Sequence, residues 1–229
     1  MMRFKSLLFV LLIFSVLFVY PVVGQEKINQ FNSNGGRDGV WKKYYSNKRL
    51  RYQGQFKDGK EIDTFKFYSA LNSEHPTVIK SFVKHSNLAK VTYYDVKGVL
   101  KSTGEMDGKT RIGKWFYYHL DGKSILSEEN YKNGILNGSS KTYYNTGKIT
   151  EEMFYKNGEL HGNLRRYSDE GVLLDDLNYI NGKLNGAAKY YNIRGKLIYW
   201  GEYENDEKIG KWEYFENGKP KDFIEERKN

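Results

Sequence analysis

The chain has 229 residues, enough for one domain of ordinary size or one repeat array, and 16% of it is aromatic, with 20 Tyr. That ring density excludes a disordered chain, and the absence of Cys excludes a disulfide framework, a thiolate metal site and a cysteine nucleophile. The net charge of +9 comes from interleaved Lys and Glu rather than a dense basic block, which reads as a solvated surface with some preference for anionic partners.

At the N-terminus, Arg3 and Lys5 precede an apolar run from Leu7 to Tyr20. Pro21-Val22-Val23-Gly24 then offers a cleavage site before Gln25. A run of about 14 residues suits a signal segment better than the roughly 20 of a spanning helix. Residues 1–24 are therefore expected to be a signal peptide, with an uncleaved anchor as the alternative. Both place the protein in the periplasm, the cell envelope or outside the cell. Nucleic acid is a poor partner there.

The rest of the chain repeats. Equivalent starts fall at Gly39, Asp63, Ala89, Gly113, Gly138, Gly162, Gly186 and Gly210, at spacings of 24, 26, 24, 25, 24, 24 and 24 residues. Five residues after each start stands an aromatic ring: Tyr44, Tyr68, Tyr94, Tyr118, Tyr143, Tyr167, Tyr191 and Phe215. Two residues after each start the side chain is mostly apolar but varies in size: Trp41, Phe65, Val91, Trp115, Ser140, Leu164, Ala188 and Trp212. Six of the units have a glycine-containing first turn, at Gly98, Gly122, Gly147, Gly171, Gly195 or Gly218. A second turn follows at Asp58-Gly59, Asp107-Gly108, Asn133-Gly134, Asn157-Gly158 or Asn181-Gly182, dipeptides that supply positive φ at both central positions of a hairpin loop. Between turns lie runs rich in Tyr, Phe, Ile and Leu that read as strands.

The expected fold is all-β. It is an array of about eight 24-residue β-hairpins forming an elongated antiparallel meander of about 16 strands. Residues 25–38 are a leader, 39–219 the array, and 220–229 an end cap or tail. The second unit lacks both turn glycines, and Leu71-Asn72-Ser73-Glu74-His75-Pro76 should be an irregular loop.

Gly113-Lys114-Trp115-Phe116-Tyr117-Tyr118 with Asp121-Gly122-Lys123, and Gly210-Lys211-Trp212-Glu213-Tyr214-Phe215 with Asn217-Gly218-Lys219, resemble the MORN repeat variant of bacterial YwqK-like antitoxin proteins. The resemblance implies a β-meander that binds protein partners or membrane surfaces, in some relatives as an antitoxin. The same stretch resembles the Trp-Tyr repeats of choline-binding modules, without their second Gly-Trp element, which keeps a cell-wall glycan as an alternative partner.

No catalytic, metal or cofactor site is expected. His75, His85, His119 and His161 lack ligand spacing and read as solvated residues of loops and turns. Glu128-Glu129 and Glu151-Glu152 point to opposite faces of a strand, although Glu129 and Glu152 could line up across units. Charge on both faces of Ser127-Glu128-Glu129-Asn130 excludes a membrane barrel. The invariant rings from Tyr44 to Phe215 are expected to stack as a structural ladder. Trp41, Trp115 and Trp212, in the variable column, are the candidate binding surface. The expected partner is another protein, with an anionic membrane surface or a cell-wall glycan as alternatives.

Overall fold

The computed structural model describes residues 27–216 and 219–221. The expected signal peptide, the Asn217-Gly218 turn and the tail from Asp222 lie outside the described residues. Every strand pairs antiparallel with its sequence neighbour, so the chain is one open meander of eight hairpins. Among the described residues there are fifteen strands of six to ten residues and four of two residues.

Hairpin one is Arg37–Tyr44 with Leu50–Lys57, two is Lys60–Tyr68 with Pro76–Phe82, three is Leu88–Tyr94 with Leu100–Asp107, and four is Thr110–Tyr118 with Ile125–Lys132. In hairpins five and six the first strand is broken by one residue: Gly138–Tyr143 pairs with Ile149–Lys156 and Gly162–Tyr167 with Leu173–Ile180, while the short pieces Ile135–Leu136 and Glu159–Leu160 pair back with Ile125–Lys132 and Ile149–Lys156 of the preceding hairpins. Hairpin seven is Lys183–Tyr191 with Leu197–Glu204, and eight is Glu207–Glu216 with the short Lys219–Pro220. Part of the expected leader joins the sheet, since Gln30–Phe31 pairs with Arg37 and Asp38.

Two local devices recur. The second turns at Asp58-Gly59, Asn133-Gly134, Asn157-Gly158 and Asn181-Gly182 have positive φ at both central residues, the twist that closes a two-residue loop between right-twisted strands. Hairpin three differs from expectation. Asp107 pairs with Thr110, so the loop is Gly108-Lys109 and only Gly108 is left-handed. The second device is at the start column, where seven of the eight residues have positive φ, Asp63 among them and Ala89 the exception. There an extra-residue bulge lets Gly113, Lys114 and Trp115 face Gly104 between the pairs Glu105↔Ile112 and Thr103↔Phe116.

The sheet is a single layer, so its core is made by side chains lying flat on one face. Trp41, Phe56 and Phe65 form one buried cluster, Ala89, Val91, Met106 and Trp115 a second, and Leu164, Leu177 and Ala188 a third. Complete burial of Phe65 contributes about 2 kcal/mol. Ser140, buried among them, separates the second cluster from the third.

Candidate functional site

The two faces of the sheet carry different rows of side chains. On the face opposite the buried clusters, cross-strand neighbours run Lys42, Gln53, Lys66, Ile79, Thr92, Thr103 and Phe116. The row continues through Glu128, Lys141, Glu152, Arg165, Asp176, Lys189, Trp200 and Glu213. From Glu128 to Lys189 the charges alternate. Lys114 and Glu128 lie 3.0 Å apart, Lys141 and Glu152 2.7 Å, Arg165 and Asp176 3.2 Å. Glu152 is held below the usual carboxylate range, chiefly by its hydrogen bond from Lys141. The carboxylates that line up across hairpins are thus Glu128 and Glu152, with Lys141 between them. Glu129 instead pairs with Trp115 on the opposite face, where its Oε2 accepts from the Tyr131 hydroxyl at 2.6 Å.

The invariant rings lie over this charged row and do not form the core. Tyr143 donates its hydroxyl to Glu128 at 3.1 Å and Tyr167 to Glu152 at 3.0 Å, while Gln53 donates to the Tyr68 hydroxyl. Each of these three rings therefore reaches back to the second strand of the preceding hairpin. The expected stacked ladder of Tyr44, Tyr68, Tyr94, Tyr118, Tyr143, Tyr167, Tyr191 and Phe215 is absent: among the described residues no ring pair joins two of its members. Equivalent residues are two strands apart, about 9.6 Å, beyond the roughly 4.5–7 Å at which rings interact. Burial, then the bond to Glu128, pushes the Tyr143 hydroxyl up to about 12. Among the described residues no hairpin precedes that of Tyr44, which is 51% exposed.

The Trp residues expected to bind are instead packed away. Trp115 is fully buried, Trp41 is 9% exposed, and Trp212, in the last hairpin, is half-buried. Three strand-interior glycines explain why. A Cβ on Gly104 would lie 2.3 Å from Trp115, on Gly201 2.4 Å from Trp212 and on Gly54 2.5 Å from Phe65, so each ring occupies the space a side chain would need. Where the ring is replaced by Val91 or Ala188, the facing residue is Lys80 or Leu177. The variable column varies because its volume is shared with the strand before it.

The other side of each indole is also occupied. Arg37 covers Trp41 at 4.8 Å, Arg111 covers Trp115 at 4.7 Å and Lys208 covers Trp212 at 4.1 Å. The indole N–H of Trp41 donates to the Gln30 carbonyl and that of Trp115 to the Glu105 carbonyl. The Trp212 N–H is buried without a partner among the described residues. Gln30–Phe31 therefore gives hairpin one what a preceding hairpin would supply. The cations four residues before each Trp, and the glycines facing the rings, were the signals that marked these Trp as structural.

The histidines are not all solvated. His75 and His85 are exposed, but His119 is half-buried with its ring bonded to the Tyr143 carbonyl. Tyr45 and Tyr144 make the same forward tie, to the Tyr68 and Tyr167 carbonyls. His161 is half-buried, its Nδ1 without a partner among the described residues. Two shallow surface depressions, of about 390 and 410 Å³, lie on the charged face beside Glu152 and Glu128.

The two-strand unit itself has a counterpart elsewhere. Two segments match the family model described as MORN repeat variant. They are residues 37–58 and 136–157, each of them one hairpin up to the first residue of its second turn. A search of curated proteins found no match.

Proposed function

We propose that the protein is an exported, non-catalytic binding scaffold that presents the flat face of its MORN-type array to another protein or to the cell envelope. The observation that carries this reading is the open single-layer sheet: both broad faces extend over eight hairpins, and the depressions on the charged face are shallow. Its carboxylates are held by cations and tyrosine hydroxyls, as acceptors rather than proton donors. An immunity-like role against a partner toxin is one form of this function. A tagged mature chain passed over native envelope extract tests it. A partner recovered in stoichiometric amount, from the protein or the polysaccharide fraction, is expected; retention of neither contradicts the reading.

A second reading, envelope glycan binding, is favoured by the charge distribution. Residues 27–98 carry 14 Lys and Arg against six Asp and Glu, whereas residues 99–216 carry 17 against 18. The excess of positive charge lies in the first three hairpins.

A further inference from the structure

We propose that the charged face of hairpins one to three binds an acidic polysaccharide through its carboxylates, with Tyr44, Lys42, Gln53 and Lys66 as the first contact site. The inference rests on the scaffold reading and names the ligand class for one part of it.

The argument is a comparison of the chain with itself. In hairpin five, Tyr143 and Lys141 stand at the same places as Tyr44 and Lys42 in hairpin one. There both are satisfied by carboxylates: the Tyr143 hydroxyl bonds Glu128 and the Lys141 ammonium lies 2.7 Å from Glu152. In hairpin one the position of Glu152 is taken by Gln53, and no described residue stands at the position of Glu128. Hairpin two repeats the change, since Lys66 is flanked by Gln53 and Ile79. The tyrosine–lysine clamp is retained, and among the described residues no carboxylate meets it. A carboxylate from a ligand fits the vacated role.

The surroundings favour a sugar polymer over a bilayer or a protein. Lys42 and Lys66 are two strands apart, about 9.6 Å, and suit an extended polymer with charge at intervals. Between and around them stand Gln53, Gln55, Thr64, Ser81 and Thr92, amides and hydroxyls that can hydrogen-bond sugar hydroxyls. The Tyr44 ring is exposed and gives a platform for the apolar face of a sugar ring. Protein interfaces concentrate apolar anchors at their centre. Here the exposed Leu71, Val83 and Leu88 sit at loops and strand ends, away from the lysines.

Affinity electrophoresis of the mature chain through gels containing polygalacturonate, or neutral dextran, tests the proposal. Polygalacturonate is expected to retard the chain and dextran not, with the retardation lost at high salt. Lys42→Gln with Lys66→Gln should weaken binding at least about tenfold, and Tyr44→Ala should weaken it too. Lys156→Gln with Lys196→Gln removes the same charge from exposed positions in hairpins five and seven, and should leave binding within about twofold. Equal loss in both double variants would reduce the effect to net charge and overturn the site. Binding to phosphatidylglycerol vesicles with none to polygalacturonate would overturn the ligand class. Recovery of an envelope protein without polysaccharide binding would leave the scaffold standing and remove this inference alone.

Discussion

Gly104 and Trp115 have to change size together, because the indole lies where a Cβ would project. Gly104→Leu alone should cost at least about 1–3 kcal/mol by overpacking, and Trp115→Ala about 3–5 kcal/mol by leaving a cavity. The double variant copies the Leu177–Ala188 pair found in hairpins six and seven. Its loss in urea unfolding should fall short of the sum of the single losses by about 0.5–3 kcal/mol; simple additivity would contradict the shared-volume account. Titration gives a second test at this scale. Tyr68, Tyr143, Tyr155, Tyr167 and Tyr179 all have raised hydroxyls, burial being the largest cause in each. A raised folded value means that stability is fully present below the unfolded value of about 10, and is lost as pH rises through about 12, where Tyr143 ionises. Ultraviolet titration should therefore show tyrosinate forming later in the folded chain than in urea; coincident curves would contradict the inter-hairpin ties. The +5 column was legible in the sequence as a recurring ring, but its face was not. A bulge between Thr142 and Tyr143 breaks simple alternation, and only the register shows the ring turned toward Glu128.

Each hairpin is set by its turns and its bulge. Asn133 is left-handed, with φ 52, in a loop shared with Gly134, whereas Asp107 precedes a loop whose left-handed residue is Gly108. Asn133→Ala should cost about 1–2 kcal/mol, while Asp107→Ala should stay within about 0.5 kcal/mol. Thermal melts of the two variants check the difference, and equal losses would contradict the loop assignment. The hairpins, their number and their turn dipeptides were readable because Gly, Asn and Asp are required where φ is positive. The leader was harder to read. Gln30–Phe31 carries no repeat signature, yet it covers Trp41 with the Phe31 ring at 5.1 Å and accepts its N–H. Its role comes from the edge it covers, not from its own pattern. Trp115 and Trp212 were misread for a related reason: their partners, Gly104 and Gly201 on the second strands, lie one strand away in space but eleven residues away in sequence from the rings they face.

Across the whole molecule, contacts join successive strands, and the chain behaves as a one-dimensional array. The three buried clusters succeed one another along the sheet, and Ser140 marks the thin place between the second and third. The charge follows the same axis, positive in the first hairpins and balanced in the rest. The central claim is that this is one open sheet whose hairpins rest only on their neighbours. Small-angle X-ray scattering on residues 25–229 and on a form ending at Gly158 tests it most directly. The shorter form keeps the first two clusters and loses the five long strands from Gly162–Tyr167 to Glu207–Glu216. It should remain folded, with a maximum dimension shorter by about 24 Å. An unfolded fragment, or one whose maximum dimension is unchanged, would contradict the account.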